Sequence, residues 1–419
     1  MKVGTLDFGV SPYHFCHLAE RFLVKKKIVL VLGIRPDVIR AAKVINLLRE
    51  VEKIDFTFIW SGQHYSDNLK DVFFRELNVD APDVELGATG ETDAEISSSV
   101  ISKLYNCLKD INPEAVIFLG DTNTVLGSIA AAQLNIPIIH IEGCMRSYDW
   151  RMPEEKCRTI IDNLSDVIYT YYPEYKKQGI AEGLRPDSIV VIQNLIVDIM
   201  EEYYFKKKDS FESVFNDCVN KYLIEKKCFL LATIHRRENV ENKEILKNIF
   251  KLMGSSKFKI IFPASYRTQK QIIKFGLTLP NNVTMIDPIG YQEMLALMSN
   301  AYAVLTDSGT VVEETAVLGV PSIQVRKATE RPQVYDCGSS VKFDPTSTEE
   351  KYHFDTIWAK TWKIKNTKWD HNLGDGHSSQ RIVDDILERL ETNDGFRNHL
   401  PEKNHLDISR SFQDDGISA

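Results

Sequence analysis

From residue 28 onward the chain repeats one pattern: a short apolar run, a turn built on Gly or Asp, then helical spacing. The runs IVLVLG (28–33), DFTFIW (55–60), AVIFLG (115–120), IPIIHIEG (136–143) and DVIYTYY (166–172) form one series. CFLLATI (228–234), FKIIFPA (258–264), VTMID (283–287), YAVLTD (302–307) and PSIQV (321–325) form another. Strands that are apolar at nearly every position are buried on both faces, as in parallel sheets whose helical crossovers cover both sides. The pattern therefore predicts an α/β fold with two Rossmann-like, doubly wound domains, residues 28–200 and 201–365. Residues 1–27 lack this pattern and read as an N-terminal extension, with helical spacing at 13–23. Within a C-terminal segment, 366–391, the apolar spacing of 382–390 predicts a helix that packs back on the first domain. The polar, breaker-rich stretch 392–419 reads as a disordered tail.

At 419 residues, 43% hydrophobic and 26% charged, the chain is long enough for two such domains. Its net charge of −8 offers no basic field for nucleic acid or an anionic membrane, so an anionic ligand must be held by local arginines. The apolar run 28–34 is too short to span a bilayer, and the lysines before it follow no signal-peptide pattern, so a cytoplasmic location is expected. Seven cysteines without a C-x-x-C pair suit reduced thiols.

The strand ends carry the chemistry. In TDSGTVVEETAVLGVPSIQVRKATERP (306–332), a strand runs into the Ser308-Gly309 turn and a helix over 310–318. The free N–H groups and dipole of that helix start favour a pyrophosphate, and Glu313 and Glu314 lie close enough to accept from ribose hydroxyls. Glu330-Arg331-Pro332 adds a guanidinium able to grip a phosphate bidentately. In the first domain, strand ends deliver Arg35, then Gly120-Asp121-Thr122, then His140-Ile141-Glu142-Gly143, followed by Arg146 and Pro153-Glu154-Glu155. Buried acids cost about 1 to 5 kcal/mol unless paired, so Asp121, Glu142 and Glu154 beside Arg35 and Arg146 suggest tuned acid/base groups. After the strand at 229–233 comes His235-Arg236-Arg237, where neighbouring cations would keep the imidazole neutral. No G-x-G-x-x-G occurs, which argues against NAD, and no cofactor is expected. His140, Glu142, Cys144 and Cys157 lack the P-C-x-x-C of a zinc deaminase, so no metal is expected.

The motifs G-x-R-P, G-D-T, H-x-E, R-x-P-E-E, H-R-R-E-N, D-S-G and E-R-P follow one another in the order seen in the non-hydrolysing UDP-N-acetylglucosamine 2-epimerases, which the chain resembles over residues 28–390. The resemblance implies a GT-B-like fold with the two domains facing across a cleft, and a homodimer. Carried over by position, it implies Asp121, Glu142, Glu154 and His235 as the catalytic set and Arg35, Ser308, Gly309, Glu314 and Arg331 as UDP contacts. Arg40, Arg146, Arg236 and Thr310 complete the expected substrate-binding set. Gln63 and His64 match a motif linked in some relatives to a regulatory second substrate molecule, although Tyr65-Ser66-Asp67 departs from its usual continuation.

The expected reaction follows from the substrate. The C2 hydrogen of an N-acetylhexosamine is not next to a carbonyl, so a stable carbanion is out of reach and elimination of UDP to a glycal is the feasible route. Four departures bear on the sugar: Arg40 stands for a lysine, Cys144 for a glycine, Cys157 for an asparagine and Thr310 for the second glycine of D-S-G-G. The last resembles members acting on other UDP-2-acetamido sugars, including a 6-deoxy L-hexose. A hydrolysing epimerase, a GT-B glycosyltransferase and a nucleotide-sugar sensor are the competing readings.

Overall fold

The computed structural model describes residues 25–62, 74–392 and 395–396. The stretch 13–23, the Gln63-His64 pair and nearly all of the tail lie outside the described residues. In the first half, β1 (Lys26–Leu32), β2 (Ile54–Trp60), β3 (Val84–Glu85), β4 (Ala115–Leu119), β5 (Ile138–Ile141), β6 (Val167–Thr170) and β7 (Ile189–Val191) form one parallel sheet in the order β3-β2-β1-β4-β5-β6-β7. In the second, β8 (Phe229–Thr233), β9 (Lys259–Pro263), β10 (Val283–Ile286), β11 (Ala303–Thr306), β12 (Ser322–Val325) and β13 (Ser340–Phe343) form another, ordered β10-β9-β8-β11-β12-β13. Both are doubly wound and reverse direction at the same place, between the first and fourth strands of the sheet. That reversal opens a crevice at the carboxyl ends of β1 and β4, and of β8 and β11. The protein therefore has two α/β domains of GT-B-like architecture.

The central strands form where the apolar runs predict because both faces are covered: no residue from Ile28 to Leu32 is more than 1% exposed. Of the four edge strands, β10 falls within the run VTMID, and β3, β7 and β13 fall outside the runs. β3 has two residues and β7 three, too few for a periodic signal.

One apolar cluster runs from the first sheet through the Leu195–Tyr203 and Lys208–Tyr222 helices into the Tyr291–Asn300 and Gly309–Val317 helices beside the second sheet. The last helix, Ser378–Leu390, lies on the Arg35–Glu50 helix beside the first sheet. Asp198 caps it by accepting from the backbone N–H groups of Ser378 and Ser379 at 3.1 and 2.8 Å, and Tyr169 donates to Asp385 at 2.7 Å. Among the described residues no helix is long and apolar enough to cross a membrane.

Candidate active site

Two strand-to-helix connections at the carboxyl edge of the first sheet, after β4 and after β5, present three carboxylates to the second domain. Glu142 follows β5 with a left-handed backbone, φ 77°, which costs a non-glycine residue about 1 to 3 kcal/mol. The backbone N–H groups of Glu142 and Gly143 both donate to the carbonyl of Tyr169, at 2.9 and 3.1 Å, and so hold the bend. Its buried carboxylate accepts from Arg40 on one oxygen and from Arg331 of the second domain on the other. Arg40 also donates to the buried Asp37 at 2.6 Å. Asp121, just after β4, pairs with Arg158, which reaches Glu155 at 2.8 Å and Glu330 of the second domain at 3.6 Å. Burial opposes ionisation of Asp121, but the Arg158 and Arg236 guanidiniums hold its carboxyl below the usual range. Glu154, in the first turn of the Pro153–Leu164 helix, is held more loosely, 3.8 Å from Arg236.

In the second domain the Gly309–Val317 helix starts at the end of β11, with the Ser308 hydroxyl accepting from the Val311 N–H at 3.4 Å. Glycine is required at 309 because a Cβ there would sit 2.5 Å from Arg331 Nε. Arg331 donates to Glu313 at 2.6 Å, and Asn194 of the first domain meets the other oxygen of Glu313 at 2.7 Å. Glu314 accepts from the Tyr291 hydroxyl at 2.7 Å, and burial pushes its carboxyl up to about 7. A raised carboxyl pKa stabilises the fold below the unfolded value near 4.5, and that contribution is lost as pH rises through about 7. Glu314→Gln, which keeps an acceptor for Tyr291, should therefore flatten the fall in thermal midpoint between pH 5 and pH 8. At pH 8 it should exceed the parent by roughly 3 kcal/mol at most. Equal pH slopes for the two proteins would refute this.

His235 departs from its expected surroundings. Its Nδ1 lies 3.3 Å from Asp307, whose carboxylate also accepts from the backbone N–H groups of His235 and Arg236 and from Asn239. Arg236 turns to Glu330, at 3.6 Å, and Arg237 to Asp93 of the first domain, at 2.5 Å. The charge facing the imidazole is thus an anion rather than a cation.

His140 and Arg146 stand apart from the carboxylate cluster. The fully buried His140 bonds Asp162 at 2.7 Å and the carbonyl of Gly120 at 2.9 Å, a core role that keeps it from acting with Glu142. Arg146 pairs with the same Asp162 at 2.7 Å and with Glu182 at 2.9 Å. Arg35 opens the Arg35–Glu50 helix half-buried, and Thr310 lies in the first turn of the Gly309–Val317 helix. Cys157 is buried near Asp121 and Glu154, and burial pushes its thiol up to about 12.

The site also holds residues that sequence reasoning did not single out. Arg158 carried a signal, since it lies three residues after Glu155 on one helix face. Asp37 carried the same kind of signal, three residues before Arg40 on one helix, and Tyr171, Asn194, Tyr291 and Arg326 carried none. Arg326 is buried and pairs with Glu330 at 2.9 Å. Asp37 Oδ2, Thr122 Oγ1, the Tyr171 hydroxyl and Arg331 Nε are buried here with no hydrogen-bond partner, so the polar lining is larger than its internal pairing uses.

Comparison with known proteins identifies the family. The family model described as UDP-N-acetylglucosamine 2-epimerase matches residues 46–387. A UDP-N-acetylglucosamine 2-epimerase of Methanocaldococcus jannaschii is 36% identical over 371 residues, covering 85% of this chain and 98% of the relative. The crystal structure of the M. jannaschii UDP-GlcNAc 2-epimerase in complex with UDP-GlcNAc and UDP superposes with a TM-score of 0.76 at 32% identity, over 86% of this chain and 99% of that one. A UDP-2,3-diacetamido-2,3-dideoxy-D-glucuronate 2-epimerase of Pseudomonas aeruginosa is 30% identical over 319 residues, 75% of this chain and 87% of the relative. With its ordered motifs at the facing edges of two doubly wound sheets, the chain belongs to the UDP-N-acetylglucosamine 2-epimerase family.

Proposed function

We propose that the protein reversibly epimerises UDP-N-acetylglucosamine to UDP-N-acetylmannosamine at C2, without net hydrolysis. The observation that carries this reading is the facing of Asp121, Glu142 and Glu154 across the cleft from the Ser308-Gly309 helix start and Arg331. UDP lies on the helix start and arginines of the second domain, with Glu314 at the ribose, and the sugar reaches the carboxylates of the first. One carboxylate takes the C2 proton, and the C2–H electrons form the C1–C2 double bond. The C1–O bond breaks, its electron pair leaving on the β-phosphate oxygen, which the arginines and helix dipole stabilise. A second carboxyl group then protonates C2 of the glycal from the other face as the UDP oxygen re-forms its bond to C1. Asp121, held ionised by Arg158 and Arg236, suits the base. Its partner on the opposite face comes from Glu142 and Glu154, and His235 lies at the leaving-group side.

In D2O, product formed from UDP-N-acetylglucosamine should carry deuterium at C2. Retention of protium there would sink the mechanism, and free N-acetylmannosamine with UDP as end products would make the enzyme a hydrolysing one. The similarity to the P. aeruginosa diacetamido-glucuronate 2-epimerase, with Thr310 at the helix start, supports a second reading in which the sugar is a different UDP-2-acetamido hexose. An NMR time course with several such sugars separates the two.

A further inference from the structure

Away from the carboxylate cluster, a second contact joins the domains. Glu76, in the described segment before β3, accepts from the backbone N–H groups of Tyr291 and Gln292 at 2.7 and 3.1 Å. It thereby closes the positive end of the Tyr291–Asn300 helix with a carboxylate from the other domain. The approach needs Gly290, where a Cβ would meet Glu76 Oε1 at 2.7 Å. In the first turn of that helix the buried Tyr291 side chain donates to Glu314 at 2.7 Å, so one residue takes the Glu76 bond on its backbone and holds Glu314 with its hydroxyl.

We infer that Glu76 is a positioning residue, which couples closure of the first domain to the orientation of Glu314 by way of Tyr291. This rests on the reading of Glu314 as a nucleotide contact. With the domains apart, the helix loses its cap and its first turn frays, releasing the Tyr291 hydroxyl from Glu314. With the domains closed, both bonds form together and the carboxylate is set before the nucleotide arrives.

The test is a double-mutant cycle on Glu76→Ala and Tyr291→Phe, read by calorimetric UDP affinity and by steady-state kinetics on the full chain. Each substitution should weaken UDP binding about tenfold, the scale of a lost charge-assisted hydrogen bond. The double variant should be little weaker than either, and KM should rise more than kcat falls. Glu76→Gln, which keeps an acceptor oxygen without the charge, should recover part of the loss and replaces the alanine variant if that one fails to fold. Additive effects, or a lowered thermal midpoint with unchanged UDP affinity, would reduce Glu76 to a structural cap and overturn the inference. A parent protein that binds UDP but forms no epimer would refute the proposed reaction instead, leaving the binding cycle to decide the role of Glu76.

Discussion

Asp121→Asn should lower kcat by about a hundred- to ten-thousandfold, a loss of roughly 3 kcal/mol or more in transition-state stabilisation, with little change in fold. The amide keeps the shape of the carboxylate and an acceptor oxygen for Arg158, but it cannot take a proton from C2. Arg158 also keeps Glu155 at 2.8 Å and Glu330 at 3.6 Å, so it is not left as a lone buried cation. UDP affinity should change little, since Asp121 lies in the domain opposite the Ser308-Gly309 helix start. The combination to measure is kcat by NMR, UDP binding by calorimetry and thermal midpoint by circular dichroism. Near-normal turnover would remove Asp121 from the acid/base role, and a collapsed midpoint would show that its pairing with Arg158 serves stability first.

Arg331→Ala should have the largest effect on stability. Its guanidinium donates to Glu313 at 2.6 Å and to Glu142 in the other domain, and all three side chains are buried. Truncation leaves Glu142 with Arg40 alone and Glu313 with Asn194 alone, two buried carboxylates short of a counter-charge. Breaking a buried pair by removing one partner costs about 3 to 5 kcal/mol, and UDP binding should be lost with it. Burial already pushes the Glu313 carboxyl up against the pull of Arg331, so losing that cation raises it further and the variant should regain stability relative to the parent as pH is lowered. Arg331→Lys keeps the charge but loses the planar fork, and should fall between the two. A parent-like midpoint for Arg331→Ala would show that its contacts with Glu142 and Glu313 contribute little to the fold.

The sheets were legible because a parallel strand covered on both faces must be apolar almost throughout, and runs such as IVLVL at 28–32 have no other way to be buried in so short a length. Most of the edges were not: of the four edge strands only β10 lies in a predicted run, and β3 and β7 are too short to show a period. Most of the loops that bear the site residues were legible too, since they follow strand ends marked by Gly, Asp or His, while the Arg331 loop after Val325 was marked by its E-R-P motif. Sequence could not say which of those residues meet. His140 and Glu142, two positions apart, would share a face had β5 continued, but the strand ends at Ile141 and the left-handed turn at Glu142 parts them. His140 goes into the core with Asp162, and Glu142 goes into the cleft between Arg40 and Arg331.

The amino-acid sequence by itself therefore determined two doubly wound domains and the family to which the chain belongs, because burial periodicity and motif order are local properties. Only the tertiary structure decided the pairings Glu142–Arg331, Arg158–Glu330, Arg237–Asp93 and Glu76–Tyr291. Each joins groups more than a hundred residues apart in separate domains, so no local pattern in the sequence could have paired them.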